Sequence, residues 1–106
     1  STNSKLVSIT GIGFKPKGCT VTAWADGLGV HSIGSIDSAG NEQCGFFTYN
    51  NIFYNGASYG AYLRFTGDKN WYQYWVSWND DGATFTNVTT AGIVTNNISI
   101  QYLFYR

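Results

Sequence analysis

The nine residues from Asn70 to Trp78, NWYQYWVSW, restrict the fold more than any other part of this 106-residue chain. They show no 3.6-residue apolar spacing, and rings of this size favour a pleated, half-buried surface. In a strand, successive side chains point to opposite faces. One face then carries Tyr72, Tyr74, Val76 and Trp78. It has no strongly polar side chain and is expected to be core. The other carries Trp71, Gln73, Trp75 and Ser77. Two indoles beside two hydrogen-bonding groups suit either a subunit interface or a surface that stacks on sugar rings.

No apolar stripe of helical period runs through the rest of the chain. Alternation dominates, and 13 glycines and one proline punctuate it. Strands are expected over Lys5–Thr10, Cys19–Ala25, Leu28–Ile36, Glu42–Tyr49, Ser58–Phe65, Asn70–Trp78, Ala83–Val88 and Ile98–Tyr105. Gly11-Ile12-Gly13 breaks the first, and Pro16 marks a connector because it cannot donate to a ladder. Asp26-Gly27, the 37–41 segment and Asn79-Asp80-Asp81-Gly82 read as turns. Ile52-Phe53-Tyr54 reads as a loop that packs inward, and Thr89–Asn97 as a polar loop. Seven or eight short strands with regular turns fit an all-β chain folded as one antiparallel β-sandwich or jelly-roll-like domain over residues 1–106.

Only 11% of residues are charged, against roughly a quarter in ordinary domains. Aromatics reach 18%, so a surface with apolar patches is expected, and such patches mark partners. Six basic and six acidic residues cancel, which argues against nucleic acid, where a basic face must neutralise phosphates. No apolar run approaches the roughly 18 residues of a membrane helix, so no membrane insertion is expected. The residues include no charged-then-apolar leader, and the opening STNS is compatible with a fragment of a longer protein.

Cys19 and Cys44 are the two cysteines. They pair if the protein works outside cells, or stay as buried thiols acting as small hydrophobes; spacing leaves both open. They lie near no histidine, so no zinc site is expected. His31 is the only histidine and Glu42 the only glutamate. A general base needs a nucleophile and an orienting acid, and a glycosidase needs two carboxylates about 5–10 Å apart. Neither pattern is present, so His31 reads as a surface or interface residue and no catalytic residue is assigned. Asp26, Asp37, Asp68, Asp80 and Asp81 read as turn residues. Gly11-Ile12-Gly13 lacks the helix that a phosphate cradle needs. Asn87-Val88-Thr89 and Asn97-Ile98-Ser99 match the glycosylation acceptor, which matters only in a eukaryotic secretory source.

The aromatics are the strongest functional candidates. An apolar ring face covers sugar C–H groups while amides, carboxylates or guanidinium groups read hydroxyls. On that basis Trp71, Trp75, Trp24, Tyr54, Tyr59, Gln73, Arg64 and Asp68 are the expected ligand-binding residues, with neither metal nor cofactor.

Phe14-Lys15-Pro16-Lys17 after Gly13 reads GFKPK before a strand, and Asn97 to Tyr102 reads NISIQY in the last strand. These features resemble carboxy-terminal modules of phage and prophage tail-fibre receptor-binding proteins. Asp81-Gly82-Ala83-Thr84-Phe85 stands where those modules carry a D-G-F-T hairpin, with Ala83 in place of the aromatic. The layout is also similar to H-type lectins, six-stranded sandwiches that trimerise and bind sugars at subunit borders. The resemblance implies a homotrimeric tip of a virion tail, extracellular, that recognises a cell-surface glycan or polysaccharide and adheres to a host. An assembly module without its own ligand, and a stand-alone lectin, are the alternatives.

Overall fold

The computed structural model describes residues 2–25, 29–48, 52–65, 69–90 and 97–106. Nine strands follow in chain order: β1 (Thr2–Ile9), β2 (Gly18–Ala25), β3 (His31–Ile36), β4 (Glu42–Phe47), β5 (Phe53–Ala57), β6 (Ala61–Arg64), β7 (Asn70–Asn79), β8 (Gly82–Thr90) and β9 (Ile98–Tyr105). They build two antiparallel sheets, β1-β8-β7-β6 and β5-β4-β3-β2-β9. Each sheet is a meander of consecutive strands closed at one edge by a strand from a chain end. The sandwich therefore follows from the period-2 pattern, with one strand more than expected. That strand is β5: the Ile52-Phe53-Tyr54 segment is not an inward loop. Tyr54 pairs with Phe46 in the ladder, and Ile52, Phe53 and Tyr54 are exposed.

Between the sheets, Val21, Val30, Leu63, Ala83 and Phe85 are fully buried. The faces of β7 are reversed from the expectation. Trp71 (4% exposed) and Gln73 (1%) point into the core, while Tyr74 and Val76 point to solvent. Gln73 tolerates burial because both ends of its amide are bonded. Its Nε2 donates to Asn87 Oδ1 at 2.7 Å, and its Oε1 accepts from the Tyr102 hydroxyl at 2.6 Å. This polar chain ties β9 of one sheet to β7 and β8 of the other. It also turns the acceptor-motif Asn87 towards the interior. Outside, Tyr74 is exposed and Tyr72 lies half-buried under Tyr59, so an apolar-looking face does not have to be core.

A β-bulge then changes the phase of β7. Trp75 opposes Phe85 and Ser77 opposes Thr84, which leaves Val76 as the extra residue. Trp75 and Trp78 consequently fall on the same side, with ring centroids 5.6 Å apart against the core. Trp78 was expected inside and is packed there. Its Nε1 donates to Ser38 O at 3.2 Å. The turn beneath carries Gly40 at φ +87°, where a Cβ would lie 2.2 Å from the Trp75 ring. No other residue combines that backbone with that contact.

Two carboxylates fasten the layers. Glu42 Oε1 accepts from Trp75 N at 2.9 Å, at the bulge, and from Gly60 N at 3.0 Å. Asp81 accepts from Gly11 N (2.8 Å) and Gly13 N (2.7 Å), binding the β1–β2 connection to the β7–β8 hairpin. The glycine pair thus spends its N–H groups on an internal carboxylate. Asp37 caps its own turn through Ala39 N, Asn41 N and Asn41 Nδ2, as a turn residue should. Asp26 and Asp68 lie outside the described residues. Cys19 and Cys44 are free and buried. Burial, with the charge of Glu42 adding to it, pushes their thiols up to about 12 and about 11. Among the described residues no helix is long and apolar enough to cross a membrane.

Candidate functional site

Strand register lines up a row of rings on the outer face of the five-stranded sheet. Trp24 on β2 opposes His31 on β3, His31 opposes Phe47 on β4, and Phe47 opposes Phe53 on β5. Four rings thus form one row across four strands, about 14 Å long at roughly 4.8 Å per strand step. Three of the four rings pack on one another. His31 and Phe47 centroids lie 4.7 Å apart and nearly parallel; Phe47 and Phe53 lie 5.0 Å apart and tilted. The His31 Nδ1–H donates to Gly29 O at 3.0 Å, which fixes the imidazole plane. Trp24 is 38% exposed and Phe53 51%.

The next two rows are shaped for hydrogen bonding. Thr22, Ile33, Gly45 and Asn55 lie beside the rings, followed by Thr20, Ser35 and Gln43. Gly45 opens a hollow there: a Cβ would come within 2.6 Å of the Phe53 ring that leans over it. The resulting trough has a volume of about 540 Å³ and is lined by Thr20, Ile33, Ser35, Gln43, Phe53 and Asn55 among others. That volume lies in the range of small-ligand sites. The Tyr105 hydroxyl is 2.5 Å from Thr20 Oγ1 and orients that group at the rim.

No charge points outward from these five strands. Glu42 is the only Asp, Glu, Lys or Arg within them, and it faces the other sheet. Burial of its carboxyl outweighs the two backbone N–H bonds and raises its pKa above the ordinary 4.5. Among the described residues these strands therefore offer the outer face C–H and π contact, hydroxyls, amides and the His31 imidazole. Among the described residues no three His, Cys, Asp or Glu side chains gather where a metal could be held.

The sequence-predicted residues divide into groups. Trp24 belongs to the aromatic row. Trp71 and Gln73 are in the core and reach no surface. Trp75 is half-buried against Trp78 and Gly40, with its indole N–H buried and without an acceptor among the described residues. Asp68 lies outside the described residues. Tyr54, Tyr59 and Arg64 come together at a different place, the corner where edge strand β6 meets β4 and β5. There Arg64 Cζ lies 5.8 Å from the Tyr54 ring centroid, and Tyr59 stacks on Tyr72 with centroids 4.2 Å apart. Partial desolvation, and then the neighbouring Tyr59 hydroxyl, raise the Tyr72 phenol above its ordinary value.

Apart from Trp24, every contributor to the row and trough escaped the sequence reading, His31, Phe47, Phe53 and Gly45 among them. The alternation of β4 already separated Phe47 from the buried Cys44–Phe46 set. What the chain could not display is that Phe47 stands level with Trp24 and Phe53, because that depends on the register of three separate strand pairs. No family model matches this chain, and neither a curated protein nor a solved structure matches it.

Proposed function

We propose that this protein is a carbohydrate-recognising module that binds an uncharged stretch of glycan along the aromatic row. The observation that carries this reading is the alignment of Trp24, His31, Phe47 and Phe53 beside an uncharged trough of hydroxyl and amide groups. Pyranose rings present C–H faces that lie on aromatic rings, and their hydroxyls need donors and acceptors at the edge. A row of about 14 Å accommodates a few sugar units in line. Adhesion to a cell-surface polysaccharide as the tip of a phage-type tail fibre is the setting that the GFKPK and NISIQY motifs suggest. Weak single sites would there gain strength from several copies held together.

The test is titration of the protein with neutral cell-surface oligosaccharides, comparing Trp24→Ala, Phe53→Ala and Gly45→Ala. Each variant should bind at least about tenfold more weakly, the equivalent of one lost ring contact, with an unchanged melting profile for Trp24→Ala. Unaltered binding in all three overturns the reading.

A second reading rests on the same face. Leu103 is 60% exposed and Ile33 59%, and no charge opposes self-association there. Copies of the chain could cover this face in a homotrimer without a ligand of its own. Native mass spectrometry separates the two: loss of oligomers in Leu103→Ser together with no glycan binding by the wild type favours assembly.

A further inference from the structure

The corner around Arg64 carries a second site with different chemistry. Arg64 is the last residue of β6 and pairs with Asn70 on β7, so its side chain leaves the outer face of the four-stranded sheet beside Tyr62. It forms no ion pair among the described residues, and its Nε is buried without an acceptor. What holds it is the ring of Tyr54, 5.8 Å from Cζ. An arginine kept in place by an aromatic face retains its charge and its paired N–H donors for something else. The only other charged residue described in the β6–β7 connection is Lys69, also a cation. Glu42, the one carboxylate on β4, is committed to Trp75 N and Gly60 N, and Asp68 lies outside the described residues.

Beyond Tyr54, and joined to it through Phe46, further rings are already assembled. Tyr62, Tyr72 and Tyr59 lie within 30° of parallel, at 4.2 to 5.8 Å between centroids. Phe46 backs them, with its centroid 4.6 Å from that of Tyr62 and 5.5 Å from that of Tyr54. The Tyr62 backbone is itself anchored, its N–H donating to Ser32 Oγ of the facing sheet at 3.2 Å. The corner is therefore a braced aromatic surface beside one planar cation that forms no ion pair among the described residues.

We infer that this corner binds a carboxylate-bearing sugar, a hexuronate unit, with the guanidinium of Arg64 on the carboxylate and the tyrosine rings against the pyranose. The pairing follows from charge complementarity and from the planar fork of arginine, which matches a carboxylate bidentately. It does not depend on the aromatic row, whose face is uncharged. A glycan that alternates neutral and acidic units would engage both.

The experiment is a chemical-shift titration of the intact chain with three probes: a glucuronate-containing disaccharide, its neutral glucose counterpart, and acetate. The acidic disaccharide should bind about tenfold more tightly than the neutral one, the scale of one charge-assisted hydrogen-bonded pair. Its shifts should map to Tyr54, Tyr59 and Tyr72, and weaken as salt rises. Arg64→Gln should abolish the preference. Arg64→Lys, which keeps the charge and guards against a folding defect, should retain part of it. Equal affinity for the acidic and neutral sugars, an unchanged preference in Arg64→Gln, or acetate binding as tightly as the disaccharide would each overturn the inference.

Discussion

Replacing Glu42 by alanine removes the one acceptor that two backbone N–H groups share, at a place where the two sheets are joined. Trp75 N and Gly60 N donate to the same Oε1 at 2.9 and 3.0 Å. Trp75 N is offered because the bulge at Val76 interrupts the β7–β8 ladder. Leaving a buried donor without an acceptor costs about 1–3 kcal/mol, so the pair is worth about 2–6 kcal/mol. Both bonds are only part-buried, which places the expected loss in the lower half of that range, near 3 kcal/mol. For a domain of this size that lowers Tm by about 12–24 °C. Glu42→Gln keeps an oxygen in place and should recover most of the loss. The two variants also separate hydrogen bonding from charge. The folded-state pKa of Glu42 is raised above 4.5, so the native state holds the proton more tightly than the unfolded chain does. That contribution is fully present below the unfolded pKa and is lost as pH rises through the folded value. Wild type should therefore lose stability relative to Glu42→Gln between acid and neutral pH. Urea unfolding at pH 4 and pH 7 measures both effects. A loss below about 1 kcal/mol in Glu42→Ala, or an equal loss in Glu42→Gln, refutes the two-donor account.

At alkaline pH the buried thiols and Tyr102 act in the same direction. Cys19, Cys44 and Tyr102 are pushed up to about 12, about 11 and about 12, from 9.0, 9.0 and 10.0, by burial above all. Each contributes stability below the unfolded value that is lost as pH rises through the folded one, so stability should fall from about pH 9 upward. A melting series from pH 8 to 11.5 should show a shallower decline for Tyr102→Phe, at the cost of about 1 kcal/mol at neutral pH for the lost bond to Gln73. Trp71→Ala tests the reversed face of β7. As a core residue it should lose about 3–5 kcal/mol of stability, whereas an interface or ligand residue would leave the melting profile of the isolated chain unchanged.

The arrangement of layers was legible along the chain because period-2 patterning is a local property. Cys19–Ala25, Glu42–Tyr49 and Ile98–Tyr105 announce themselves by alternation, and the turn at Asp37 by a residue that bonds its own backbone, whereas Asp81 spends its carboxylate on the distant Gly11 and Gly13 N–H groups. Polarity misled where it was satisfied at long range. Gln73 reads as a surface group until Asn87 and Tyr102, 14 and 29 residues away, are brought to its amide. Val76 looked like one more core residue, yet as the bulged position it faces solvent and lets Trp75 and Trp78 share a side. No residue type in NWYQYWVSW marks that slip.

The candidate surfaces divide in the same way. Trp24, Tyr54, Tyr59 and Arg64 could be chosen from the chain alone, because aromatic rings outside an obvious core and an arginine among them are unusual in so weakly charged a sequence. Which of them meet was decided by the tertiary structure. The sequence by itself determined strands, turns and a scarcity of charge, all set by neighbours within a few residues. The level of Trp24 with His31, Phe47 and Phe53, and the gathering of Tyr54, Tyr59 and Arg64 at the β6 corner, depend on strand registers and on the crossing of one sheet over another. Those are fixed by pairings between residues far apart in the chain, where a shift of one residue would turn every ring to the opposite face.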